Sequence, residues 1–262
     1  MKKITLSFLL LLSLVDVTFC QNSEVKSIQP ILLDKSILSG VGLEKIEIKA
    51  EPEKDFYQKN LYKGEELSVY IVSTETWVNK MDNFPFDEFI YMFHGQAKIL
   101  PSIGQTKIFN AGDYFFAPKG YIGDWEIKAG SNLHYELSVI STSREDDSKI
   151  KPEQSHFLID KAILSGTHIN FEDSDSFTEV LISGAELTIS LSAEIPGTKI
   201  VDIPIKERLI QVLTGQLSLT DEEGNIQKFY TGDFVIIPKN FTGKWESAGH
   251  GIFKYLLIER SF

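Results

Sequence analysis

A chain of 262 residues, 42% hydrophobic and 24% charged, is long enough for two domains of ordinary size and has neither a fibrous nor a disordered composition. Its formal charge of −11 argues against a nucleic-acid or anionic-lipid surface, both of which need clustered Lys and Arg. The single cysteine, Cys20, excludes an internal disulfide framework and a cysteine metal site.

In chain order, the first predicted element is a leader over residues 1–20. Lys2 and Lys3 precede an apolar run from Ile4 to Val15, and Thr18 and Cys20 stand at the −3 and −1 positions of a cleavage before Gln21. The run is too short for a permanent membrane span. Export is therefore expected, to a periplasm or the exterior, with lipidation of Cys20 as the alternative to its removal. Loss of Lys2, Lys3 and Asp16 would leave 24 basic and 36 acidic residues.

Short segments rich in Val, Ile, Phe and Tyr, bounded by Gly, Asp, Asn or Pro, then predict strands. They include "ELSVYIV", "FIYMFHG", "YFFAP", "LIQVLTG" and "FVIIP". Many come in pairs. "ILLDKSILSG" (31–40) returns as "FLIDKAILSG" (157–166), "GEELSVYIV" (64–72) as "GAELTISLS" (184–192), and "FIYMFHGQAKI" (89–99) as "LIQVLTGQLSL" (209–219). "GDYFFAPKGYIGDWE" (112–126) returns as "GDFVIIPKNFTGKWE" (232–246), and "HYELSVI" (134–140) is matched to "KYLLIER" (254–260) at the same spacing of 120. The chain thus reads as an internal duplication, 24–150 and 151–262, joined by the polar "STSREDDSKIKPEQS". Many short strands and no long helical stripe predict an all-β sandwich or barrel.

These residues resemble the cupin superfamily, and within it two-domain cupins of the (S)-ureidoglycine aminohydrolase-like type. Glu88 and Gly95 have the spacing of the family's first motif. Gly112, Asp113, Pro118, Gly120, Gly123, Trp125 and Glu126 fit the second, as do Gly232, Asp233, Pro238, Gly243, Trp245 and Glu246, with Asn240 replacing a glycine. The resemblance implies two tandem double-stranded β-helix (jelly-roll) barrels. It also implies that a metal-binding member would gather two histidines of an H-x-H pair, the glutamate and a last histidine on one divalent ion. Here Gly123 and Gly243 stand at the last histidine's position. The H-x-H positions hold Asp82 and Phe84, or Met81 and Asn83; in the second half Arg208 replaces the glutamate, and Asp202 and Pro204, or Val201 and Ile203, the histidines. No cofactor is expected. Asp82 and Glu88 remain as two weak candidate ligands for a hard cation.

Strand alternation places Trp125 on the same face as position 123, and groups Glu88 with Ile90 and Met92, and Arg208 with Ile210 and Val212. Glu88, Met92, Trp125, Arg208 and Trp245 are thus candidate ligand-binding residues, or else core residues and internal ion pairs. Arg208 would take a substrate carboxylate, or pair with Glu246 or Glu207. Trp77, Phe84 and Phe86 are expected at the first barrel's mouth, stacking on a planar ligand or covering the junction of the halves. The expected function is an exported bicupin binding a small organic molecule without metal-dependent catalysis; a ureidoglycine aminohydrolase-like or other cupin enzyme acting through Glu88 is the alternative. Pairing of cupins through their sheets makes a homodimer the expected assembly.

Overall fold

A computed structural model describes residues 28–48, 52–130, 133–142, 155–171, 174–201 and 206–261. The leader, residues 143–154 of the joining stretch, and Asp202 and Pro204 lie outside the described residues. Apart from two short helices, Lys35–Leu38 and Lys161–Ser165, the regular elements are strands. Each half forms one large and one small sheet. In the first, the large sheet runs Phe157–Ile159, Tyr114–Ala117, Glu88–His94, His134–Ser141, Leu67–Thr74, Phe56–Lys63, Glu44–Lys45, and the small one Trp77–Met81, Gly123–Lys128, Gln96–Pro101, Lys107–Asn110. In the second, the large sheet runs Ile31–Leu32, Phe234–Ile237, Arg208–Thr214, Phe253–Arg260, Leu187–Glu194, Ser176–Ser183, and the small one Thr198–Val201, Gly243–Ala248, Gln216–Asp221, Ile226–Tyr230. The result is two tandem jelly-roll barrels.

The sequence pattern follows from what each sheet covers. The large sheets of the two halves pack against each other through Val69, Ile71 and Val139 on one side and Ile189, Leu191 and Ile258 on the other. Their opposite faces fill the barrels, where Ile90 and Met92 meet Ile99 and Phe115, and Ile210 and Val212 meet Leu217 and Phe229. Buried on both faces, Tyr114–Ala117 and Phe234–Ile237 read as continuous apolar runs. The small sheets face solvent on one side, so "GDWEIK" buries Trp125 and Ile127 while Glu126 reaches Lys98 at 3.3 Å outside.

The opening segment of each half crosses to the other barrel. Ile31–Leu32 pairs with Phe234–Ile237, and Phe157–Ile159 with Tyr114–Ala117. Each arm then enters a short helix capped by Asp34 or Asp160, which accepts an N–H two residues on. The lysine after each cap reaches the aspartate of the opposite Gly-Asp pair: Lys35 to Asp233 at 2.7 Å and Lys161 to Asp113 at 2.8 Å. The repeated "DK" and "GD" are therefore complementary between halves. Glu207 also bridges them, accepting the backbone N–H groups of Glu65, Glu66 and Leu67 at 2.7–3.0 Å. Asp87 does the same for Glu186 and Leu187.

Candidate ligand-binding site

The backbone forbids a histidine at positions 123 and 243. Gly123 has φ 150°, and a Cβ there would press into the Leu100 carbonyl oxygen and the Tyr121 hydroxyl and stand 2.8 Å from Pro101 Cα. A Cβ on Gly243 would run into the Thr220 carbonyl oxygen. Glycine is needed here for space and for dihedral freedom alike. Among the described residues no group of three or more His, Cys, Asp or Glu side chains is placed to hold a metal. Asp82 is exposed and does not line the barrel cavity. The site therefore does not fit the divalent ion of metal-binding cupins.

The interior of the first barrel contains a cavity of about 90 Å³. Its walls include Phe56, Trp77, Phe84, Phe86 and Trp125, all buried. Phe84 packs at 4.7 Å from Phe86 and 5.6 Å from Trp125, and Phe56 meets Trp77 edge-on at 6.5 Å. Thus Trp77, Phe84 and Phe86 line the inside of the barrel and do not cover the junction between halves. Behind Trp125, His156 of the crossing arm stands edge-on at 4.6 Å and seals the wall. Burial pushes its imidazole down to about 3, so it is neutral.

One side of the cavity is polar. Glu88 is 9% exposed and accepts a hydrogen bond from the Ser138 hydroxyl. Burial pushes its carboxyl up to about 8, and the charge of nearby Glu136 acts in the same direction. Glu136 is 7% exposed, and its Oε2 has no hydrogen bond. His134 Nε2 stands 3.4 Å from that oxygen, long for a hydrogen bond. His134 Nδ1 lies 3.0 Å from the Thr74 N–H and 3.2 Å from the Thr74 carbonyl oxygen, so the Thr74 backbone can partner either tautomer, while Nε2 faces Glu136. Trp125 Nε1 is likewise buried without a partner. Met92 is fully buried in the same interior but does not line the cavity.

The second barrel neutralises its own polar groups. Arg208 Nε pairs with Glu259 at 3.3 Å, and neither Glu246 nor Glu207 is its partner: Glu246 holds Lys244 at 2.6 Å, and Glu207 serves the junction. Trp245 Nε1 donates to Glu194 at 2.6 Å. Lys199 bonds the same carboxylate and lies 4.7 Å above the Trp245 ring. Arg208, Lys199 and Trp245 line a recess of about 220 Å³. A groove of about 1160 Å³ runs between the halves past Tyr91 and Phe234, outside both barrels.

Glu136 is the cavity residue that sequence reasoning missed. Its signal was a row of polar residues at alternate positions, His134, Glu136 and Ser138, in an otherwise apolar strand. The matching of this strand to "KYLLIER" concealed it. Glu88 lies opposite Ile140, and Arg208 opposite Glu259, so "HYELSVI" corresponds to "FKYLLIE" at a spacing of 119. A one-residue slip reverses the faces. It aligned Glu136 with Leu256 of the shared core, whereas its counterpart is Tyr255, which lines the second recess.

The EutQ-like cupin domain family matches residues 70–135 and 195–255, once in each half. No curated protein matches the sequence. Among solved structures, a Pseudomonas syringae protein of unknown function from the DUF861 family aligns with TM-score 0.63 and 17% identity, over 88% of this chain and all of its own. A Pseudomonas aeruginosa protein described as a putative glyoxylate induced protein aligns with TM-score 0.60 and 15% identity, over 92% and 93%. A cupin 2 conserved barrel domain protein from Leptotrichia buccalis gives 0.55 and 14%, over 91% and 99%. At these identities the likeness is one of fold.

Proposed function

Because the chain belongs to the cupin superfamily and carries two of its domains, we propose that it is a bicupin whose first barrel binds a small organic molecule without a metal ion. One observation carries this reading: a buried aromatic cavity whose lining includes two buried carboxylates, Glu88 and Glu136, the second with an oxygen that makes no hydrogen bond. Buried polar atoms are nearly always hydrogen-bonded, and a carboxylate short of hydrogen bonds in the wall of a cavity is suited to a ligand. The enclosed volume restricts the ligand to a compact body of a few heavy atoms.

Ligand-observed NMR with a set of compact organic molecules tests this. At least one should bind with an affinity unchanged by EDTA and weakened about tenfold in Trp125→Ala. Binding that requires an added divalent ion would overturn the proposal. A hydrolase of the ureidoglycine aminohydrolase type, or another cupin enzyme acting through Glu88, is the second reading. It is favoured by the raised proton affinity of Glu88, which suits a general acid near neutral pH. A bound molecule recovered chemically unchanged after long incubation would exclude that reading for that molecule.

A further inference from the structure

The two barrels place different residues at one position beside the tryptophan that recurs in both halves. In the second, Lys199 pairs in register with Trp245; in the first, Asn79 pairs in register with Trp125. Lys199 carries an ammonium over the Trp245 ring, 4.7 Å from its centre, and bonds the Glu194 carboxylate. The second barrel thus holds a cation between an indole face and a carboxylate, supplied by its own chain. With Asn79 in that place the first barrel has no such ammonium. It keeps the indole of Trp125, adds Trp77, and has two buried carboxylates, Glu88 and Glu136. No lysine or arginine is among the described residues that line the cavity. Its one basic side chain, His134, sets Nδ1 beside the Thr74 backbone and turns its other nitrogen toward Glu136.

We infer that the first barrel selects a compact organic cation, an alkylammonium whose charge takes the place that Lys199 fills in the second barrel, over neutral or acidic molecules of the same shape. This rests on the reading of the cavity as a ligand site. The apolar body of the cation lies against Trp77, Phe84 and Phe86, and its N–H groups reach the carboxylate of Glu136, which lines the cavity and is short of hydrogen bonds.

Three probes of one shape test the inference: tert-butylammonium, tert-butanol and pivalate, titrated into the full-length protein with tryptophan fluorescence and calorimetry as readouts. The ammonium should bind at least tenfold more tightly than the alcohol, and pivalate more weakly than either. Glu136→Gln should remove the preference for the ammonium while leaving the alcohol's affinity within twofold, with the melting temperature checked alongside. Asn79→Lys should block the ammonium by placing the chain's own cation in the cavity. Alcohol or pivalate binding as tightly as the ammonium to the wild-type protein would overturn the cation preference and leave the ligand site standing. No binding by any of the three would overturn both.

Discussion

In the second barrel Arg208 faces Glu259, and Lys199 bridges Glu194 and the Trp245 ring. At the matching places the first barrel has Glu88, Ile140, Asn79, Thr74 and Trp125. One half has matched each interior charge with its opposite. The other lacks those cations and carries carboxylates at different places, Glu88 where Arg208 stands and Glu136 where Tyr255 stands, and the cost of burying them is met in part by keeping Glu88 protonated. A duplicated fold lets one copy remain a structural partner while the other opens an interior. The shared core and the crossing arms then hold both in place.

The feature the barrels share is the strongest way to probe this difference. Gly123→His and Gly243→His would restore the residue type that metal-binding cupins use, and each should destabilise by roughly 3 kcal/mol or more through overpacking and backbone strain. The larger loss is expected at position 243, where the obstacle to a Cβ is the closest, a backbone carbonyl. Urea unfolding measures both. A Gly123→His protein that is as stable as wild type and takes up one equivalent of zinc would refute the steric account.

The repeat made the fold legible. Blocks recurring at spacings close to 120 residues set the number of barrels, and the family motifs identified their type. Two features of the site were less accessible. Gly123 reads in sequence as a ligand that is missing, but its physical cause is the close approach of the Leu100 carbonyl and Tyr121, which only the folded chain brings together. The residue pattern leaves open whether Trp77, Phe84 and Phe86 meet a ligand or cover the junction of the halves, and the fold decides it by turning the first ring of the strand Trp77–Met81 into the barrel. The Glu136 error was one residue of register, and in a strand buried on both faces the apolar pattern cannot detect such a slip.

The next effect depends on pH. Glu88 holds its proton to about 8 when folded and to about 4.5 when unfolded. Across that window the native state binds a proton that the unfolded state has released, so stability should fall as pH rises, by at most about 1.4 kcal/mol per pH unit. Below the window both states are protonated and above it neither is, so the contribution flattens at each end. Chemical denaturation of wild type and Glu88→Gln between pH 5 and 9 isolates it, because the glutamine cannot ionise. A wild-type slope equal to that of the variant would show that Glu88 ionises normally in the fold.

Arg208 should have the smallest effect, although it occupies the same place in its barrel as Glu88. Its side chain is 39% exposed and its one close carboxylate, Glu259, is 19% exposed. Water therefore screens the pair, and such pairs contribute about 0.5 kcal/mol. Glu259 also has Lys206 at 3.7 Å, so Arg208→Met leaves it partnered. The methionine can lie along Tyr255 and Leu257, which line the recess with Arg208. The expected loss is therefore about 0.5 kcal/mol or less by urea unfolding, with first-barrel ligand binding unchanged. A loss of several kcal/mol would mean that Arg208 is desolvated in solution and that the second barrel, too, depends on a buried charge.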